Sequence, residues 1–173
     1  MTDYIKEHQK FFAGFAAKCE LAITLQTSFL THNKSSAQIE SMASEAIKGM
    51  HRFRPRLNRL LSGNGWKRSP EHLPIIVAAL EGTGNSYDRN RSLHYHLAVG
   101  NFDPARVESA AFSEQLTRHW LESGIGTTDV HIQRMTAAGA YCWGMYIGKE
   151  AWQGNLACID LENTQIPKHL LGD

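Results

Sequence analysis

The chain has 173 residues, enough for one domain (residues 1–173) with a real hydrophobic core. Its 42% hydrophobic and 20% charged content is that of an ordinary globular protein, and a net charge of +1 leaves any nucleic-acid binding to a local patch rather than to overall basicity. The three cysteines, Cys19, Cys142 and Cys158, form no CxxC pair for zinc or redox work, and their odd number fits reduced thiols in a cytoplasm. Met1 to Lys18 carries acids and amides where a signal peptide needs an apolar run, and no stretch reaches membrane-spanning length. The expectation is an intracellular protein with no membrane partner.

In chain order, residues 3 to 18 read as a short amphipathic helix, and Leu21 to Thr27 is rich enough in β-branched residues for a first strand. Ser35 with Gln38 three positions on resembles a capping box. Ile39, Met42, Ala43, Ala46, Ile47 and Met50 then recur at helical spacing, predicting a helix to about Arg54, where Pro55 ends or kinks it. Leu73 to Glu81 is an apolar run of strand length, joined through a long loop, Gly82 to Arg91, to the next strand. Asp103 as N-cap and Pro104 as first residue start a helix to about Ser123 that buries Val107, Ala111, Leu116, Trp120 and Leu121 in part. Val130 to Ile132 is a short strand, and Thr136 caps a helix from Ala137 to about Trp152. Leu156 to Leu161 reads as a last strand. This order predicts an α+β fold, a central antiparallel sheet of about five strands with helices packed on it.

The most informative stretch is Ser92 to Val99. Leu93, Tyr95, Leu97 and Val99 alternate with His94, His96 and Ala98, so a strand buries the first set and points both imidazoles off the other face. Two histidines on one sheet face can share a metal ion. A bare His-x-His also occurs as an inert strand pair, so its weight comes from a second signal, Tyr146-Ile147-Gly148-Lys149. On the last long helix Ala140, Trp143, Ile147 and Ala151 fall on one side and leave Tyr146, Lys149 and Glu150 on the adjoining flank. A strand can therefore present His94 and His96 while a later helix lays Tyr146 above them.

LHYHLAVG followed by YIGK resembles the HUH endonuclease superfamily, and within it the rolling-circle replication initiators (Rep proteins) with a single tyrosine; the likeness covers residues 20 to 152. The resemblance implies an HUH nuclease-like fold and site-specific nicking of single-stranded DNA at an origin or hairpin. Tyr146 would attack a backbone phosphate, leaving a 5′-phosphotyrosine link and a free 3′-hydroxyl. Lys149 would lower the phenol pKa or stabilise charge on the phosphate. His94 and His96 would hold Mn²⁺ or Mg²⁺, and two imidazoles argue for manganese or for an added carboxylate. Glu81 is that carboxylate in one reading and a solvated strand end in the other.

For DNA contact the basic segment Arg52, Arg54, Arg56, Arg59, Lys67 and Arg68, with Trp66 for base stacking, is the richest, and Arg89 and Arg91 lie near the histidines in sequence. Tyr141, five residues before Tyr146, is assigned to packing; His119 and His131 have no partners at ligand spacing. No GxxxxGK[ST] loop is present, so a separate helicase and polymerase are implied, in a bacterial host cell and from a phage, plasmid or mobile element. Two alternatives stay open. Single-strand transposases of the same superfamily share the histidine-then-tyrosine order, and a non-catalytic DNA-binding domain would carry an inert histidine pair.

Overall fold

The computed structural model describes residues 3–83, 92–147, 149–152, 155 and 158–171. It is an α+β fold built on a four-stranded antiparallel sheet in the order β2-β3-β1-β4, where β1 is Leu21–Leu30, β2 Ile75–Glu81, β3 Ser92–Gly100 and β4 Gly126–Arg134. Among the described residues no helix is long and apolar enough to cross a membrane.

Alternation sorts the strand side chains onto two faces. Leu21, Ile23, Leu25, Ile76, Leu80, Leu93, Tyr95, Leu97 and Val99 make one face and pack against α2 (Ser36–Ser62) and α4 (Phe112–Leu121) in the main core. The other face carries Val77, Ala79 and Ala98, which meet Phe12, Phe15 and Ala16 of α1 (Asp3–Ala16) and Ile147 of α5 (Ala137–Ile147). The small residues matter here. A Cβ on the buried Gly144 would come within 2.6 Å of the Ala16 Cβ, so glycine lets α5 settle against α1 and lie close over β3.

Several sequence expectations need correction. The helix predicted to end near Arg54 runs on to Ser62: Pro55 is exposed, and Phe53, Leu57 and Leu61 continue the buried stripe past it, which outweighs the one lost N–H. The Ser35/Gln38 capping box is formed at its start. The helix predicted from Pro104 to Ser123 is broken into α3 (Pro104–Val107) and α4. Phe112, Leu116 and Trp120 repeat every four residues and are all buried, whereas Val107 stands five residues before Phe112, roughly 140° away around a helix. One continuous helix could not turn both sets inward, and Leu121 is left exposed.

Among the described residues the sheet has four strands, not about five. The described part of the segment expected as a last strand makes an isolated bridge, Ala79 to Ile159, followed by another, Ile76 to Gln165. Between them the chain turns back on itself, with Thr164 N–H donating to the Asp160 carbonyl and Asn163 N–H to the Asp160 carboxylate. This turn still satisfies the outer edge of β2: Gln165 exchanges both backbone bonds with Ile76, Asp160 N–H donates to Ala78 O, and Ala78 N–H donates to the Thr164 hydroxyl. Burial pushes the Cys19 and Cys158 thiols up to about 12, and all three cysteines are free.

Trp120 sits where β1, α2 and α4 meet, edge-on to Phe53 and Tyr95, with its indole N–H donating to Gln26 O at 2.7 Å. Trp120→Ala should cost about 3–5 kcal/mol, read as a lowered midpoint in chemical denaturation; an unchanged midpoint would show that the core closes without it.

Candidate metal centre

The pairing of β2 with β3 places Glu81 opposite His94 and Ala79 opposite His96, so the carboxylate and both imidazoles stand side by side on the α5 face. Glu81 is 1% exposed, which removes the solvated-strand-end reading. Its Oε2 lies 3.5 Å from His94 Nε2, 3.3 Å from His96 Nε2 and 2.6 Å from Lys149 Nζ. One potential ligand atom from each of Glu81, His94 and His96 lies within 4.8 Å of the others, so the three could hold one metal ion.

The hydrogen bonds behind the rings fix which nitrogen faces the carboxylate. His94 Nδ1 is 3.0 Å from the Ser92 carbonyl, which can only accept, so Nδ1 carries the proton and Nε2 of the neutral ring is a bare lone pair. His96 Nδ1 is 3.0 Å from the hydroxyl of Thr24, which faces it from β1. Both Nε2 atoms face one carboxylate oxygen, the geometry in which a shared cation or a proton on either ring satisfies all three groups. Two atoms there are buried without a hydrogen-bond partner, Glu81 Oε1 and His96 Nε2. Lone pairs left over in a nitrogen-and-oxygen donor set are what a first-row divalent ion takes up, and the residues fit such an ion.

The charges are arranged accordingly. Burial alone would raise the Glu81 carboxyl, but His94, His96 and Lys149 together hold it well below the usual carboxylate range. Burial dominates at His96 and lowers it, keeping the ring neutral. At His94 the contact with Glu81 and the Ser92 carbonyl outweigh burial and raise it. Lys149 is raised as well, its desolvation outweighed by Glu81 and Tyr146.

Above the histidines, α5 and α6 (Lys149–Trp152) bring aromatic and cationic groups. Tyr146 lies edge-on to His96 with ring centroids 5.2 Å apart and stacks on Trp143 at 5.3 Å. The Lys149 ammonium sits 3.8 Å from the Tyr146 ring centre, so one cation touches both the tyrosine and the carboxylate. Tyr146 stays 44% exposed. Next to it a cleft of about 470 Å³ opens between α5 and β1 and β4, lined by Gln133, Met135, Cys142, Trp143 and Tyr146 among others.

No protein-family model, no curated protein and no solved structure matches this chain.

The structure therefore brings together Glu81, His94, His96, Tyr146 and Lys149. It does not bring the basic segment to them. Arg52, Arg54, Arg56 and Arg59 belong to α2, on the opposite face of the sheet, and Trp66, Lys67 and Arg68 lie in and just after a 3₁₀ turn beyond its end. Three of these arginines are already engaged: Arg52 donates to Ser123 O, Arg54 to Glu162 O, and Arg56 is 3.7 Å from Glu122. Arg89 and Arg91 lie outside the described residues. Tyr141, expected in packing, is 55% exposed, because it points away from the α5 face that meets the sheet. Sequence reasoning passed over Thr24 and placed Trp143 only on the packed side of its helix. Thr24 occupies a polar alternate position in LAITLQT, and Trp143 stands three residues before Tyr146, so both signals were present.

Glu81→Ala, His94→Ala and His96→Ala should each weaken Mn²⁺ binding by at least roughly tenfold, measured by calorimetric titration; wild-type affinity in any one would remove that residue from the ligand set. A metal competes with the proton on His94, whose pKa is raised, so affinity should begin to fall at a higher pH than the ~6.5 of a free histidine. Titrations across neutral pH that are flat down to that value would contradict the assignment.

Proposed function

We propose that this chain is a metal-dependent, site-specific nickase and strand transferase for single-stranded DNA, of the HUH type that starts rolling-circle replication. The observation that supports it most is the meeting of Tyr146 with the Glu81, His94 and His96 cluster through Lys149, in the motif order that the sequence resemblance implies.

In this reading the Tyr146 oxygen attacks the phosphorus of the scissile phosphate, its bond forms as the bond to the 3′ oxygen breaks, and the strand is left on the enzyme through a 5′-phosphotyrosine. The phenol proton goes to solvent and the departing 3′ oxygen takes one up. A phenol is a poor nucleophile while it keeps its proton, so the adjacent Lys149 ammonium supplies the electrostatic help that the attack needs. A divalent ion held by Glu81, His94 and His96, Mn²⁺ in preference to Mg²⁺ on account of the two imidazoles, would polarise the phosphate oxygens. Trp143 backs the Tyr146 ring and limits its rotamers. The single strand would run over the half of this face that α5 leaves open, where Gln26 and Thr24 are half-buried and His131 and Gln133 are exposed, with the cleft beside Tyr146 for a base. A separate helicase and polymerase would complete the reaction.

Incubation with a broad pool of single-stranded oligonucleotides and Mn²⁺ should give a covalent protein–DNA adduct, seen as a mass increase, that is absent from Tyr146→Phe. Lys149→Ala should form it on the order of 10²-fold more slowly, while binding Mn²⁺ no more weakly, since it no longer competes for Glu81. An adduct that survives in Tyr146→Phe names a different nucleophile. None at all with wild type would favour an inert DNA-binding domain.

A further inference from the structure

We propose that Glu150 is a positioning residue for the metal centre, locking the end of β2 so that the Glu81 carboxylate is held against His94 and His96. The proposal rests on reading those three residues as a metal centre and is independent of the substrate. Glu150 is 4% exposed and follows Lys149 directly on α6. One of its oxygens accepts the Gly82 N–H at 2.9 Å, and the other accepts from the Asn155 amide at 2.9 Å and the Thr83 hydroxyl at 3.5 Å. Asn155 also donates to the Thr83 hydroxyl at 2.7 Å, which closes the network around the carboxylate.

The geometry gives this network a task. Gly82 comes immediately after Glu81 and stands at φ +93°, where a Cβ would meet the Ser92 carbonyl oxygen at 2.7 Å. Only glycine makes that turn, and glycine has no side chain with which to hold it. Glu150 holds it from outside. Two consecutive residues of α6 therefore grip two consecutive residues at the end of β2: Lys149 takes the Glu81 carboxylate and Glu150 takes the next peptide N–H. Because α6 follows the helix that carries Tyr146, the same grip sets where the tyrosine stands relative to the ligands. Groups that orient metal ligands in this way without touching the ion change affinity by roughly 10–100-fold when removed.

The test uses the whole chain with Mn²⁺ alone as the probe, by calorimetric titration beside thermal melting of the metal-free protein. Glu150→Ala should melt as a folded protein and bind Mn²⁺ roughly 10–100-fold more weakly. Glu150→Gln keeps an acceptor for the Gly82 N–H, and its amide nitrogen can donate to the Asn155 side chain once that amide turns its oxygen inward, so it should bind close to wild type. A fully structural role would lower the melting temperature and leave affinity unchanged, and wild-type affinity in Glu150→Ala overturns the proposal. If Glu150→Ala does not fold, Glu150→Asp keeps the charge, withdraws it by one methylene and should show the same loss; unchanged affinity there overturns it equally. A wild-type protein that binds no Mn²⁺ would remove the metal reading itself, and this role with it.

Discussion

A carboxylate taken out of water must meet positive charge, and the enclosure of Glu81 at the end of a fully buried edge strand imposes that demand on everything around it. The β2–β3 register answers with two imidazoles, and α6 answers with an ammonium. Lys149 satisfies only one carboxylate oxygen. The other is buried without a hydrogen-bond partner, as is the facing nitrogen of His96. A network with open valences at its centre is costly to keep in a purely structural role and economical as a cation site, because binding an ion completes it.

The two sheet faces divide the work. The far face is continuous aliphatic and aromatic surface under α2 and α4 and supplies most of the core. The near face is lined by Ile75, Val77, Ala79 and Ala98 where α1 and α5 cross it, and turns polar at Glu81, His94 and His96 and along Thr24, Gln26, His131 and Gln133. Small residues let α5 come close enough for Trp143 to donate to the Leu97 carbonyl and to lie edge-on to His96. The reactive groups are thus carried by rigid elements, two neighbouring strands and a helix packed against them, rather than by a loop.

What could be read from the residues follows from which interactions are local. Alternation in LHYHLAVG gave the faces of β3, and helical spacing gave the flank shared by Tyr146 and Lys149, because periodicity is written in neighbouring residues. Glu81 as a third ligand was legible only as one of two readings, since the register that faces it with His94 is a long-range pairing. Pro55 was misread because the burial of Leu57 and Leu61 decides whether a helix survives a proline. The missing fifth strand turns on hydrogen bonds made by Asp160, Asn163 and Thr164, side chains that favour turns over ladders. Helical spacing put Glu150 only on the flank beside Tyr146 and Lys149; its burial depends on Gly82 and Asn155, which sequence spacing does not connect to it. The cluster of arginines in α2 was visible, but the face to which α2 docks was not.

The most direct test of the central claim is anomalous diffraction from a crystal of the chain soaked in Mn²⁺. The expected result is one strong peak within bonding distance of Glu81, His94 Nε2 and His96 Nε2, with the Lys149 ammonium moved off the carboxylate toward Tyr146. A peak elsewhere, or none while Lys149 stays on Glu81, would show that the lysine alone satisfies this carboxylate and that the histidines hold no ion.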